Sequence, residues 1–253
     1  MKSKKFEDLL EIVHRLRKEC PWDRAQTMES LKPQTLEEAY EVIEAIEDKN
    51  YEELKKELGD LLLHVLFYSS IAEEENNFNI DNVIDSVKEK LIRRHPHVFG
   101  DTIAEDKETV KTNWEQIKLN EGRESILEGV PRSLPNLQRA VRLQEKASKV
   151  GFDWEKKEDV WNKVVEEIEE MKTAERENDA IAFEQEMGDV FFALTNFARY
   201  LNINPEEALR KTNEKFIRRF QYIEKQVKKQ GKKIYEVTLN EMDKHWNESK
   251  SLF

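Results

Sequence analysis

Two clusters of carboxylates stand out along the chain, each at helical spacing. Glu37, Glu38 and Glu41 are followed by Glu57 and Asp60; Glu166, Glu167 and Glu170 are followed by Glu186 and Asp189. At about 100° per residue, the first three acids of each group lie within roughly a 100° arc of one helix. The last two are three residues apart and lie about 60° from each other on the next helix. Two antiparallel helices could therefore turn their acids toward one another. Four or five carboxylates held together repel strongly unless protons or metal ions neutralise them. Hard oxygen ligands select Mg²⁺, or Mn²⁺, and Mg²⁺ completes its shell with waters and substrate phosphates.

Glu-rich helix faces are ordinarily solvated surface, and E-E-x-x-E alone does not rise above that reading in so acidic a chain. Two further features do. Gly59 and Gly188 interrupt otherwise good helices, where Gly costs about 1 kcal/mol relative to Ala; this points to close packing or close approach of a ligand. The whole unit also recurs. Glu37–Glu41 is matched by Glu166–Glu170, and Glu57–Asp60 by Glu186–Asp189, both 129 residues on. Glu89–Arg94 (E-K-L-I-R-R) is matched by Glu214–Arg219 (E-K-F-I-R-R) at 125, and Trp114 with Lys118 by Trp246 with Lys250 at 132. Four patterns in one order mark a duplication.

The repeated K-x-x-R-R supplies opposite charge. Lys90 with Arg93 and Arg94, and Lys215 with Arg218 and Arg219, place cations one turn apart, and Arg forks match phosphate oxygens. An ordinary basic turn pairing with surface Glu would read the same way. Trp114 and Trp246 could be core anchors or could stack on a base. Lys163 stands one turn before Glu167, whereas the corresponding position in the first copy is Gln34.

The elements that must position these groups are helical. Ile80, Val83, Ile84, Val87 and Leu91 form one apolar stripe, as do Val160, Trp161, Val164, Val165, Ile168 and Met171. No alternating β-branched run stands out as a strand. The periodicity predicts helices near 4–18, 34–49, 52–75, 80–94, 108–120, 134–149, 157–177, 180–201, 205–229 and 238–249. Gly122, Gly129, Pro131 and Pro135 interrupt the pattern. The organisation expected is an N-terminal unit over 1–121, a linker over 122–135 and a C-terminal unit over 136–253.

Composition excludes several classes. A net charge of −11 argues against a nucleic-acid groove, which needs a basic face. The single cysteine, Cys20, makes no internal disulfide and fits the reducing cytoplasm. The segment after Met1 is amphipathic and lacks the unbroken apolar core of a signal peptide. The apolar stretches around Leu61–Tyr68 and Val190–Leu194 are too short to span a bilayer.

The acids in the order E-E-x-x-E, then E-x-x-D, resemble those of the MazG nucleoside triphosphate pyrophosphohydrolases, whose tandem members duplicate the unit. Cys20-Pro21-Trp22-Asp23, His95-Pro96-His97-Val98-Phe99-Gly100-Asp101, Gly129-Val130-Pro131 and Val150-Gly151-Phe152-Asp153-Trp154 extend the likeness over nearly the whole chain. The resemblance implies an all-α fold, with tandem helical units forming four-helix bundles through homodimerisation. It implies hydrolysis of NTPs or dNTPs between the α and β phosphates, to the monophosphate and pyrophosphate, with Mg²⁺ as cofactor, and a house-cleaning role in the NTP pool. Carried onto matching positions, the metal ligands are Glu167, Glu170, Glu186 and Asp189 in the second unit, and Glu38, Glu41, Glu57 and Asp60 in the first. Glu166 and Glu37 would orient or deprotonate the water. Lys215, Arg218 and Arg219 would bind the triphosphate tail and Trp246 would contact the base; Lys163 and Lys250 would also bind substrate, as would Lys90, Arg93, Arg94, Trp114 and Lys118 in the first unit. Two alternatives stay open: a non-catalytic helical interaction protein, and a narrow pyrimidine deoxynucleotide hydrolase of related architecture.

Overall fold

The computed structural model describes residues 2–102, 106, 109, 110, 113, 117 and 125–253. The chain divides into two compact units, Met1–Trp114 and Glu115–Phe253. Among the described residues the first unit holds α1 (Lys2–Glu19), α2 (Pro21–Arg24), α3 (Met28–Glu47), α4 (Tyr51–Glu74), α5 (Ile80–Arg94) and α6 (Pro96–Phe99). The second holds α7 (Asn136–Ser148), α8 (Lys157–Glu177), α9 (Ala180–Tyr200), α10 (Pro205–Lys229), a 3₁₀ turn (Ile234–Glu236) and α11 (Leu239–Ser249). No strand occurs among the described residues, so the all-α expectation holds. The helix expected over 108–120, with Trp114 and Lys118, falls largely outside the described residues.

The duplication is visible as two hairpins, α3–α4 and α8–α9, closed by the same device. Lys49 (φ 54°) and Asn178 (φ 57°) each take the left-handed conformation that ends a helix. The next residue then starts the following helix: the Asn50 side chain accepts from the Glu53 N–H, and that of Asp179 from the Ile181 and Ala182 N–H groups. These tight reversals bring the E-E-x-x-E and E-x-x-D faces side by side.

In the first unit α1 and α3 both pack on α4, burying Val13, Leu31, Leu66, Phe67 and Ile71 in one cluster. The buried Arg17 pairs with Glu74 at 2.6 Å and donates to the Gln26 carbonyl at 2.9 Å, tying the α1–α3 connection to the end of α4. In the second unit α9 packs on α7 and α8, and Val160, Val164, Val190 and Ala193 are buried. A separate cluster of Ile223, Val227 and Val237 joins α10 to α11. No helix among the described residues is long and apolar enough to cross a membrane.

Helix α3 begins at Met28, not near residue 34. Thr27 and Ser30 form a reciprocal capping box, the Thr27 hydroxyl accepting from the Ser30 N–H at 3.1 Å and the Ser30 hydroxyl from the Thr27 N–H at 2.9 Å. Pro33 therefore lies inside the helix, where it lacks the N–H that would reach the Glu29 carbonyl. The cap secures the extra turns that a proline would otherwise discourage.

Candidate functional site

In the second hairpin, carboxylate oxygens of Glu167, Glu186 and Asp189 lie within 4.8 Å of one another. Glu170 completes the group: burial, then the charge of Glu167 and a hydrogen bond to it, hold its carboxyl above the usual range. The buried Glu167 is paired with Lys163 at 2.8 Å, and Lys163 also reaches Glu166 at 2.7 Å. Those hydrogen bonds raise the Lys163 ammonium well above its ordinary value. In this structure Lys163 is thus a counter-ion for the acids, where the sequence suggested a free phosphate contact.

The first hairpin repeats the arrangement. Oxygens of Glu38, Glu41 and Glu57 lie within 4.8 Å of one another. Burial and the charge of Asp60 push the Glu38 carboxyl up. Glu57 is pushed up to about 7 by burial, a hydrogen bond to Glu53 and the charge of Glu41. The structure therefore brings three of the four expected ligands of each unit within 4.8 Å of one another, with Asp60 and Glu170 acting on them electrostatically. Exposed Glu37 and Glu166 stand at the edges.

This donor set fits a divalent cation. Oxygens around one octahedral Mg²⁺ lie about 3–4 Å apart, close to the observed spread, and the all-carboxylate chemistry is hard. The raised carboxyls also carry a sign. A carboxyl whose folded value lies above its unfolded one contributes stability that is complete below its unfolded value of 4.5 and is lost as pH rises through about 7 for Glu57. The lowered carboxyls of Glu207 and Glu241, held down by Arg210 and by the Thr238 backbone respectively, act only at more acid pH. Scanning calorimetry with a chelator should therefore show Tm falling between about pH 5 and 8, with Mg²⁺ restoring it more strongly at the upper end. A metal-free Tm that is flat or rising over that window would contradict the assignment.

A cavity of about 320 Å³ adjoins the second cluster; Lys163, Glu167 and Asp189 form one side of it. Leu143, Gln144, Phe152, Trp154, Phe192 and Asn196 supply much of the remainder. The loop carrying Phe152 and Trp154 turns at Gly151, whose φ of 85° suits glycine. It is then fastened to α9 by the Asp153–Arg199 pair at 2.7 Å and by the Tyr200 hydroxyl donating to the Glu155 carbonyl at 3.0 Å.

A cavity of about 470 Å³ occupies the same place in the first unit, with Trp22, Asp23, Gln34, Glu38, His64 and Phe67 in its walls. At the offset of 129, His64 stands for Ala193 and Phe67 for Asn196. The Thr35 hydroxyl joins His64 Nδ1 and the Tyr68 hydroxyl, each at 2.7 Å, where the second unit has Val164, Ala193 and Phe197. The sequence motifs did not reveal either cavity; aligning the copies beyond the acids would have exposed the exchange.

The basic motifs are placed apart from these cavities. Neither Lys90, Arg93 and Arg94 nor Lys215, Arg218 and Arg219 line them. Lys215 and Arg218 are exposed on α10, while Arg219 donates to the Phe253 carbonyl at 2.9 Å and lies 5.6 Å over the Trp246 ring. Trp246 packs against Phe216 in the α10–α11 cluster, and Lys250 donates to the Asn247 side chain. At Gly59 and Gly188 an added Cβ would meet nothing within 4 Å. Among the described residues nothing packs closely against them, which leaves approach by another group as the reason expected for them.

Comparison with known proteins places these features in context. The sequence family described as the MazG nucleotide pyrophosphohydrolase domain matches residues 26–99 and 155–223, once per hairpin. The chain is 44% identical over 250 residues to the nucleoside triphosphate pyrophosphohydrolase/pyrophosphatase MazG of Thermotoga maritima, spanning 97% of this chain and 95% of that one. It is 44% identical over 251 residues to the nucleoside triphosphate pyrophosphohydrolase of Escherichia coli K12, spanning 96% and 95%. A crystal structure of a mazG-related protein from Thermotoga maritima is 29% identical, with a TM-score of 0.41 over 45% of this chain and 98% of that one.

Proposed function

The chain belongs to the MazG nucleotide pyrophosphohydrolase family, and from that premise we propose that it hydrolyses nucleoside triphosphates, ribo or deoxy, between the α and β phosphates, using Mg²⁺. The observation that carries this reading is the convergence of three carboxylates on each hairpin, Glu167, Glu186 and Asp189 in the second, with Glu170 coupled to them and Glu167 buried. A merely solvated acidic face has no reason to bury one carboxylate, Glu167 or Glu57, beside its neighbours.

Glu167, Glu170, Glu186 and Asp189 would hold the cation, and in the first unit Glu38, Glu41, Glu57 and Asp60 would do so. Bound Mg²⁺ supplies polarisation of the α-phosphate, a more acidic water and charge neutralisation on the departing pyrophosphate. Glu166, at the edge of the cluster, takes the proton from the attacking water; Glu37 has that place in the first unit. The water oxygen bonds to the α-phosphorus, the bond to the bridging oxygen of the β-phosphate breaks, and pyrophosphate leaves with that electron pair. Lys163 is held to Glu166 and Glu167; with those carboxylates engaged by a cation, its ammonium would be available to a phosphate. The exposed Lys215 and Arg218 offer further contacts for the triphosphate tail.

Calorimetry with Mg²⁺ and a non-hydrolysable NTP separates this reading from that of a helical interaction protein. Binding at micromolar to millimolar concentration supports the enzyme; no binding supports the interaction protein. A panel of NTPs and dNTPs tests the narrower pyrimidine deoxynucleotide reading.

We also propose that the protein is a homodimer. Leu58, Leu62 and Val65 are exposed on α4, and Phe191 and Leu194 on α9, leaving apolar stripes that a four-helix bundle would cover. Leu66, on the same helix, is by contrast fully buried in its own unit's core. Light scattering at micromolar concentration should give about 60 kDa, twice the chain mass of 30.1 kDa. A mass near that of one chain would refute it.

A further inference from the structure

We propose that the first unit reads the sugar of a nucleotide, with His64 Nε2 as the acceptor for a ribose hydroxyl, 2′ or 3′. This rests on the nucleotide-hydrolysing function above and assigns to the first unit a contact that the second lacks.

The Thr35 hydroxyl stands 3.0 Å from the Leu31 carbonyl, 2.7 Å from His64 Nδ1 and 2.7 Å from the Tyr68 hydroxyl. A hydroxyl has one proton to give, and a carbonyl only accepts. One placement of protons makes all three contacts hydrogen bonds: Thr35 donates to Leu31, while His64 Nδ1–H and the Tyr68 hydroxyl donate to Thr35. The neutral imidazole then carries its lone pair on Nε2. His64 is only 9% exposed, so the ring is fixed in place. Its Nε2 nevertheless has no hydrogen-bond partner among the described residues and is not sealed off. The ring borders the cavity of about 470 Å³, and Nε2 is the acceptor it offers there.

Position selects the sugar. His64 follows Asp60 by one turn of α4, about 6 Å along the helix, and its charge acts on the Glu38 carboxyl. It thus borders the acid cluster without joining its closely spaced members, Glu38, Glu41 and Glu57. In a nucleotide whose phosphates meet the cation, the group next to the α-phosphate is the sugar. Phosphate oxygens are acceptors and do not pair with a bare imidazole nitrogen, whereas a ribose hydroxyl donates to one. The second unit has Val164, Ala193 and Phe197 where the first has Thr35, His64 and Tyr68. An apolar set therefore serves packing at this place, and burying three polar groups to aim one ring calls for another reason. The contact belongs to the first unit alone.

The test is calorimetry on the full chain carrying Glu167→Gln and Glu170→Gln, which strips the second cluster of two ligand charges. The probes are the non-hydrolysable α,β-methylene ATP with Mg²⁺ and its 2′-deoxy and 3′-deoxy forms. Removing at least one of the two hydroxyls should weaken binding by roughly three- to tenfold, the scale of one hydrogen bond. Adding His64→Leu should weaken the parent nucleotide to that same level and abolish the difference between sugars, and His64→Gln, which keeps an acceptor, should recover part of it. Thr35→Val removes the anchor of Nδ1 without touching the cavity wall and should also reduce the difference, so the proposal stays testable if His64→Leu fails to fold. Nitrogen-15 shifts of the His64 ring should show Nδ1 protonated and Nε2 bare. Equal affinity for the three sugars, a difference that survives His64→Leu, or an Nε2–H tautomer would overturn the contact. A chain that binds none of the three, while the wild type hydrolyses NTPs, would overturn the first-unit site and leave the enzymatic reading standing. A wild type that hydrolyses no NTP would overturn both.

Discussion

Glu167→Gln, or Asp189→Asn, should remove most NTP hydrolysis while leaving the helical content intact. Each change deletes one ligand charge and keeps the side-chain volume. Loss of a group that merely orients a metal ligand typically costs about 10–100-fold, so loss of a ligand itself should reach at least the upper end of that range. Stability should move the other way. Glu167 is buried among Glu170, Glu186 and Asp189, and removing one of several crowded like charges relieves repulsion in the metal-free protein. The expected pattern is therefore lost turnover, unchanged circular dichroism, and a metal-free Tm at neutral pH no lower than that of the wild type. Unchanged turnover would mean that these acids are surface decoration, or that the first unit carries the activity.

The second large effect concerns the difference between the copies. Glu167→Gln with Glu170→Gln should abolish most NTP turnover, whereas Glu38→Gln with Glu41→Gln should leave most of it. The first unit keeps its carboxylates but has Gln34 where the second has Lys163. A charged hydrogen bond is worth about 1.5–3 kcal/mol, so a missing phosphate contact should weaken binding about ten- to hundredfold. The cavities strengthen the argument, because Ala193 leaves open what His64 occupies with a hydrogen-bonded imidazole. The first unit would then be a weaker NTP site, or one for smaller phosphates such as pyrophosphate. Equal losses from the two double variants would defeat this asymmetry, and a larger loss from the first pair would reverse the assignment.

The acid clusters were legible because helical geometry is so regular. Spacing of i, i+3 and i+4 fixes which carboxylates share a face, and a duplicated pattern supplies its own control. Hairpin closure was less legible, since Lys49 is not a residue that announces a left-handed turn. Pro33 made the start of α3 look late, because the reciprocal Thr27–Ser30 cap that overrides it lies outside the apolar periodicity. Gly59 and Gly188 were recognisable as anomalies, but only coordinates could show that no neighbour among the described residues crowds them. The cavities were the least legible. Gln144, Trp154 and Asn196 come from α7, a loop and α9, and no local spacing relates residues that meet only through tertiary packing. A cavity is formed by what surrounds it.

Product identity tests the central claim most directly. The full-length protein should be incubated with Mg²⁺ and an NTP labelled separately at the α and γ phosphates, and the products resolved by anion-exchange chromatography. Attack at the α-phosphorus predicts that the α label appears in the nucleoside monophosphate and the γ label in pyrophosphate, in equal amounts and only when Mg²⁺ is present. Nucleoside diphosphate with orthophosphate, or release of label that does not depend on a divalent cation, would contradict it.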